Sequence, residues 1–202
     1  MACDQGCYGQ RKLKSYNVAA DTFCNSFYHC NLPEVIIDLP GDEAFIREAL
    51  RQAQKAYEAD EVPVGAVVVR AGRIIARAWN QVELLKDATA HAEMLALTQA
   101  EAAVGDWRLT DCDLYVTKEP CVMCAGALVH VRMRRVVFGC ADLRSGGAGG
   151  IMNLLQHPAL NHHCEITSGV LENECASILQ DFFRKKRGRT GNTTASVGED
   201  RH

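Results

Sequence analysis

The sequence has no long apolar run, no secretory signal and no strong excess of charge. No stretch of its residues approaches the ~18 uninterrupted apolar positions that a membrane span requires. Residues 1–17 include basic side chains, but no apolar run follows them, so they do not resemble a signal peptide. A formal net charge of −3 argues against a protein that coats nucleic acid non-specifically. We therefore expect a cytoplasmic protein that does not associate with membranes.

Cysteine is abundant by contrast, with 10 in 202 residues. Without an export signal, we expect these cysteines to ligate metal, take part in catalysis or pack as small apolar side chains rather than form disulfides. A local basic cluster near the end of the chain also stands out against the weak overall charge. It consists of Arg184, Lys185, Lys186, Arg187 and Arg189.

The length predicts one compact domain with a tail at each end. Residues 1–40 show no sustained periodicity and are expected to be a disordered extension, residues 41–187 to be the domain, and residues 188–202 to be a disordered polar tail. The extension also contains cysteines and a histidine, which leaves a second zinc site as an alternative. Their loose spacing, without any Cys-x-x-Cys, favours the disordered extension. These residues are Cys3, Cys7, Cys24, His29 and Cys30.

The hydrophobic pattern alternates between strand and helix along the domain. Because helical crossovers join the later strands, we expect those strands to be parallel. We also expect Asp42 and Thr89 to cap the first two helices and Pro120 to open the third. The predicted elements are a helix from Asp42, a hairpin over 64–79 that turns at Gly72, a polar loop over 80–87, a helix over 90–103, a strand over 113–117, a helix from Pro120, strands over 135–138 and 165–167, and a helix over 172–186.

Two short motifs, each at the start of a predicted helix, indicate a metal site. These are His91-Ala92-Glu93 and Pro120-Cys121-Val122-Met123-Cys124. Cysteines three residues apart in the first turn of a helix direct both sulfurs to one side, where they can bind one ion. A helix N-terminus also favours negative charge and so the ionised thiols that zinc requires. We expect one zinc ion per chain, held by His91, Cys121 and Cys124.

Three protein ligands leave the fourth tetrahedral position open for water, which is typical of catalytic rather than structural zinc. Zinc lowers the pKa of such a water towards about 7. Glu93 is then placed to carry protons, accepting one from water and delivering protons to the leaving group. Taken separately, the cysteine motif also suits a redox pair or half of a structural zinc site, and it is the combination that favours a catalytic centre.

The pattern His-x-Glu followed by Pro-Cys-x-x-Cys resembles the zinc-dependent nucleobase deaminases. Over about residues 42–187 the chain looks like the bacterial tRNA-specific adenosine deaminases. The segments that carry this resemblance are Pro63–Ala66, Trp79-Asn80, Asp87–Glu93, Tyr115–His130, Arg135–Gly139, Leu154–Pro158 and Asp181–Arg184.

This resemblance implies an α/β protein with the three-layer α/β/α cytidine-deaminase-like fold, in which helices cover a central mixed sheet of about five strands. It implies conversion of adenosine to inosine at the wobble position of a tRNA anticodon, with arginine tRNA bearing ACG as the expected substrate. It also implies a homodimer that binds the anticodon stem-loop across the dimer boundary. By the same resemblance, Asn80 and the backbone N–H of Ala92 would hold the flipped base, while Asp142, His157 and Phe183 would contact loop nucleotides.

Two alternatives remain open at this point. The same zinc site serves deaminases of free guanine, cytosine or deoxycytidylate. The chain could also be a catalytically silent RNA-binding subunit, since such partners exist among relatives of the deaminases. By the resemblance, the Asp87–Glu93 run and the Phe182-Phe183-Arg184 ending favour RNA as substrate. The aromatic and basic side chains of that ending also suit unstacked bases and phosphates. Retention of Glu93 counts against a silent subunit.

Overall fold

The structure, a computed structural model, describes residues 41–193 and the side chains of residues 41–189. Helices and strands alternate along this part of the chain much as the hydrophobic pattern predicts. The elements are α1 (Asp42–Glu58), β1 (Gly65–Arg70), β2 (Arg73–Trp79), α2 (Val82–Leu85), α3 (Ala92–Val104), β3 (Cys112–Lys118), α4 (Val122–His130), β4 (Arg135–Cys140), β5 (Glu165–Thr167) and α5 (Glu172–Thr193).

The strands form one mixed sheet of five in the order β2-β1-β3-β4-β5. Strand β1 pairs antiparallel with β2 and β3, whereas β3, β4 and β5 are parallel. The predicted fold class is therefore confirmed. One connection differs from expectation, because residues 141–164 join β4 to β5 with turns and isolated bridges instead of a helix. The glycines of this segment, at 146–150, disfavour a helix.

The hairpin between β1 and β2 turns at Ala71 and Gly72, whose φ values are 48° and 73°. Positive φ at both positions is the requirement of a type I′ turn, which matches the twist of the flanking strands. Because side chains alternate along a strand, Val67 and Val69 enter the core cluster beneath α1 and α5, and Ala66 and Val68 enter the cluster beneath α3 and α4. The sheet is thus buried on both faces.

The first helix begins without the cap that its sequence suggests. Gly41 is the N-cap of α1, and Asp42 lies in the first turn. Its carboxylate accepts hydrogen bonds from Arg135 at 2.7 and 3.0 Å and from the Tyr115 hydroxyl at 2.9 Å. The prediction of an Asp42 cap is wrong because these partners on β3 and β4 take the carboxylate instead.

The starts of α3 and α4 also differ from expectation, and both differences concern the predicted zinc ligands. His91 and Cys121 are themselves the N-cap residues, so Thr89 does not cap α3 and Pro120 precedes the cap of α4. The Thr89 hydroxyl instead donates to Asp87 at 2.7 Å within a local turn. His91 and Cys121 therefore lie where the chain enters each helix.

Two segments have more helix than expected. The predicted polar loop after β2 contains α2, and α5 continues to Thr193 instead of ending at Lys186, so its end lies in the segment assigned to the tail. Residues 1–40, with their cysteines, and residues 194–202 lie outside the described residues, so their predicted disorder stays a prediction. Among the described residues, no helix is both long and apolar enough to cross a membrane.

Candidate active site

The predicted zinc ligands lie together at the carboxyl end of β3, where the starts of α3 and α4 meet. His91 Nδ1 is 3.6 Å from the Cys121 sulfur and 3.5 Å from the Cys124 sulfur, and the two sulfurs are 3.6 Å apart. Within the described part of the chain, this is the only group of at least three potential ligand residues close enough to hold one metal ion. The three atoms surround a single point.

These distances fit a tetrahedral zinc ion. Zinc binds imidazole nitrogen at about 2.0–2.1 Å and thiolate sulfur at about 2.3 Å, which at tetrahedral angles separates the ligand atoms by roughly 3.6–3.8 Å. One nitrogen and two sulfurs are also the donor types that zinc prefers over magnesium or calcium. His91, Cys121 and Cys124 therefore suit zinc in both chemistry and spacing.

The Cys121 thiol is electrostatically unlike the buried cysteines. A hydrogen bond from Cys124, together with His91, lowers the pKa of Cys121 to about 4. The hydrogen bond between the two thiols is the largest cause of a raised pKa at Cys124, and burial and the nearby Glu93 carboxylate raise this pKa further. Burial raises the pKa of Cys164 to about 12 with no compensating partner. The lowered pKa of Cys121 favours a thiolate at the cluster, as metal ligation requires.

Glu93 lies in the first turn of α3 beside the three ligands, and its side chain is only 4% exposed. Burial raises the pKa of its carboxyl, and hydrogen bonding with its own backbone N–H and the proximity of His91 only partly offset this shift. A carboxyl with a raised pKa takes up a proton more readily near neutral pH. This property suits a group that both accepts and delivers protons.

A cavity of about 560 Å³ opens in front of these residues. Its volume is within the range of small-molecule sites, so it can admit one nucleobase with part of its ribose. Its walls come from the turn after α1, the segment after β2, two of the predicted zinc ligands and the middle of α5. They include Glu61, Val64, Asn80, Val82, His91, Glu93, Lys118, Glu119, Cys121, Ser145, Phe182, Phe183 and Lys186.

Of the residues predicted to touch RNA, Asn80 and Phe183 line this cavity. Asn80 is 6% exposed, and its Nδ2 donates to Glu61 Oε2 at 3.1 Å. Phe183 is 44% exposed, whereas Phe182 is 5% exposed and packs against Tyr57 with ring centroids 5.8 Å apart. Helix geometry therefore divides the adjacent phenylalanines between core and cavity, which leaves Phe183 accessible to a ligand.

The other predicted contacts lie elsewhere. Ala92 is the first residue of α3, where backbone N–H groups are not used by the helix itself. His157 is exposed in the β4–β5 connection, and its Nδ1 accepts the N–H of Ala159 at 3.3 Å. Asp142 is buried and binds Lys118 at 2.6 Å. These side chains are not brought into the cavity, and their RNA contacts remain predictions.

Glu119, which sequence analysis did not single out, fixes the glycine-rich loop beside the ligands. Its buried carboxylate accepts the backbone N–H groups of Asp142 at 2.8 Å, Ala148 at 3.0 Å and Gly150 at 2.8 Å. Gly146 and Gly150 approach this carboxylate so closely that an added Cβ at either position would overlap it. The glycines of this loop thus permit a close approach that holds Ser145 in the cavity wall.

Comparison with known proteins places this site in a family. The model of the MafB19-like deaminases matches residues 41–187. A tRNA-specific adenosine deaminase from Bacillus subtilis (strain 168) is 52% identical over 146 residues, which cover 72% of this chain and 91% of that protein. The corresponding protein from Aquifex aeolicus is 47% identical over 147 residues, covering 73% of this chain and 97% of its own length. The chain belongs to the tRNA-specific adenosine deaminases.

Solved structures agree with this assignment to the tRNA-specific adenosine deaminases. One, from a study of A-to-I editing by tRNA:A34 deaminases at the wobble position of transfer RNA, is 43% identical with a TM-score of 0.65 and covers 67% of this chain and 99% of its own. A guanine deaminase from Nitrosomonas europaea is 25% identical with a TM-score of 0.63, covering 80% of this chain and 98% of its own. The chain is thus a hydrolytic deaminase, and the resemblance inferred from the motifs is confirmed.

Proposed function

We propose that this protein converts adenosine to inosine at the wobble position of a tRNA anticodon, with arginine tRNA bearing ACG as its substrate. The observation that carries the proposal is the convergence of His91, Cys121 and Cys124 beside buried Glu93 at one cavity. The choice of tRNA as the substrate rests on the names of its relatives, because two tRNA-specific adenosine deaminases match it at 52% and 47% identity.

One zinc ion per chain would be held by these three ligands, and when bound it activates water for attack at neutral pH. Glu93 accepts a proton from the attacking water and transfers protons to the ring nitrogen and to the departing amine. Water and adenosine thereby give inosine and ammonia. The cavity walls hold the base, with Asn80 lining one side.

The RNA would reach this cavity with its target base turned out of the loop, since single-stranded loops are what proteins read in RNA. Phe183 offers an exposed ring at the cavity, and we propose that it contacts a neighbouring nucleotide. The Ala92 N–H would help to hold the base, and Asp142 and His157 would meet loop nucleotides. Because tRNA is a cytoplasmic substrate, we place the protein in the cytoplasm.

We also propose that the protein acts as a homodimer with the anticodon loop at the dimer boundary. Exposed apolar side chains on and near α4 support an interface there, because large exposed apolar patches mark interaction surfaces. They are Trp107, Val122, Met123, Leu143, Ile151 and Met152. Analytical ultracentrifugation is expected to give twice the mass of the chain.

The deciding experiment presents one substrate at a time to the zinc-loaded protein. An anticodon stem-loop with adenosine at the wobble position is expected to yield inosine, and the same stem-loop with guanosine there is expected to stay unchanged. Free guanine, free cytosine and deoxycytidylate complete the panel. Rapid turnover of one of these with none on the stem-loop would refute the proposal, and binding of the stem-loop without turnover of any substrate would identify a silent RNA-binding subunit.

A further inference from the structure

A further buried carboxylate lies in the cavity wall, outside the reacting cluster. Glu61, in the turn between α1 and β1, is only 1% exposed. Its Oε2 accepts Nδ2 of Asn80 at 3.1 Å, and its Oε1 accepts the backbone N–H of Leu84 at 2.6 Å. Both carboxylate oxygens are thus used to hold the segment that follows β2, on which Asn80 lies.

This contact determines which end of the Asn80 amide faces which neighbour. The amide has similar shape at its oxygen and nitrogen ends, so shape alone does not distinguish the two orientations. A carboxylate only accepts hydrogen bonds, and therefore the nitrogen of Asn80 must face Glu61. The oxygen is left on the other side of the amide.

The amide oxygen of Asn80 is open to the cavity. Among the described residues it has no hydrogen-bond partner, and none of their buried side-chain nitrogen or oxygen atoms lacks one. Oδ1 is therefore not one of the fully buried atoms. Since Asn80 lines the cavity, Oδ1 is reached from that space.

We propose that Glu61 is a positioning residue that fixes the Asn80 amide so that its oxygen accepts a hydrogen bond from a donor on the substrate nucleotide. The identity of that nucleotide rests on the proposed function. In this arrangement Asn80 selects for a donor at one position of the ligand, and Glu61 sets that selectivity without touching the ligand itself.

Reversing the direction of the hydrogen bond between Glu61 and Asn80 tests the proposal. In Glu61→Gln, the glutamine oxygen can still accept the Leu84 N–H, while its amide nitrogen faces Asn80 and favours the opposite amide orientation. The kcat/KM for the wobble-adenosine stem-loop is then expected to fall by roughly tenfold or more, because a donor replaces an acceptor. Asn80→Asp alone sets two carboxylates against each other and is also expected to reduce kcat/KM.

Combining the two substitutions should rescue the enzyme. In the double variant, the glutamine amide donates to the introduced carboxylate, whose second oxygen again offers an acceptor to the cavity. We expect kcat/KM of the double variant to exceed that of either single variant. If Glu61 acts only through general stability, the losses in ln(kcat/KM) of the two single variants add in the double variant. Rescue instead requires direct coupling of the two sites.

Asp113→Asn is the matched control, because Asp113 is also buried and receives two hydrogen bonds from Arg134, at 2.8 and 2.7 Å. It lies near the opposite end of β3 from the zinc ligands. Its substitution is expected to lower stability and leave kcat/KM unchanged. Unchanged kcat/KM in Glu61→Gln, or a double variant as impaired as the product of the two single losses, would overturn the proposal.

Unfolding measurements separate this inference from the proposed function. The free energies of unfolding of the two single variants and the double variant test the Glu61–Asn80 pair without any substrate. Non-additive free energies support the pairing, and additive ones overturn it, even if the unsubstituted protein forms no inosine. Failure of the unsubstituted protein on the stem-loop counts against the proposed function alone.

Two groups of adenosine can donate to Asn80 Oδ1, namely the exocyclic amine and the ribose 2′-hydroxyl. Repeating the kcat/KM measurements on a stem-loop with 2′-deoxyadenosine at the wobble position distinguishes them. The rescue persists if the donor is on the base and disappears if it is the hydroxyl. Either result supports an acceptor at Asn80, whereas equal activity of all variants on both substrates overturns it.

Discussion

We propose that proton transfer at this site depends on a single carboxylate. Glu93 is the buried acid next to the three ligands, and burial raises the pKa of its carboxyl. Glu93→Gln keeps the shape but removes the proton carrier, so we expect kcat to fall by roughly 10²–10⁴-fold. Single-turnover inosine formation and zinc content per chain should be measured together. Inosine formation at the original rate with zinc retained would contradict this role.

Zinc content should depend on the position of a cysteine and not on its burial. Cys124→Ser replaces a ligand sulfur, and we expect the purified protein to lose most of its zinc and its activity. Cys164 is equally buried but belongs to the core beneath α3 and α4, so Cys164→Ser should keep one zinc per chain. Metal analysis of both variants checks this, and zinc retained in Cys124→Ser would disprove ligation.

At the residue scale, the candidate metal site could be predicted from local sequence patterns, whereas the long-range contacts could not. Cys121 and Cys124 are three residues apart, and helical geometry brings them together without any knowledge of the fold. Glu61 and Glu119 bind groups 19 to 31 residues away in the chain. Neither belongs to a motif with a known spacing, so only the folded chain could show what each carboxylate holds.

Between β4 and β5, an ion pair anchors the loop that forms one side of the site. Asp142 is buried and binds Lys118 at 2.6 Å, Ser145 and the Arg144 N–H at 3.0 Å. Burial alone would raise the pKa of its carboxyl, but these hydrogen bonds outweigh it and hold the pKa at about 2.

A pKa below the ordinary value of 3.8 means that the folded state favours the ionised form of Asp142. The resulting stability is present above about pH 4 and is lost as the pH falls towards 2. The shift corresponds to a contribution on the order of 2 kcal/mol. We expect Asp142→Asn to lower the free energy of unfolding at pH 7 by this amount, with the difference from the unsubstituted protein shrinking between pH 4 and pH 2. Chemical denaturation across this range measures it, and a constant difference would contradict the prediction.

The helices and strands were easier to predict from the sequence than the residues at which they begin and end. The alternation of valines in β1 and the turn at Gly72 depend on neighbouring residues and were therefore visible in the sequence. The caps were not, because Asp42 pairs with Arg135 on a distant strand. Whether a side chain caps a helix depends on both its local and its tertiary hydrogen-bond partners, and the sequence shows only the local ones.

At the scale of the whole molecule, the charges are unevenly placed. The net charge is only −3, yet basic residues are concentrated on α5, whose Phe183 and Lys186 line the cavity. Lys186 forms an ion pair with Asp60, with 2.7 Å between Nζ and Oδ2. RNA phosphates near this helix would meet a locally positive surface on a weakly acidic protein, which favours binding at one place over coating of the surface.

All of the proposed machinery lies within residues 41–193, so deletion of residues 1–40 should leave it intact. The three proposed zinc ligands, Glu93, the cavity and both core clusters belong to this part of the chain. We expect the full chain and the deleted chain to bind one zinc ion each and to form inosine at equal rates. Metal analysis with parallel stem-loop assays checks both expectations. Two zinc ions in the full chain and one after the deletion would instead establish a second site among Cys3, Cys7, Cys24, His29 and Cys30, and would assign the extension a structural role of its own.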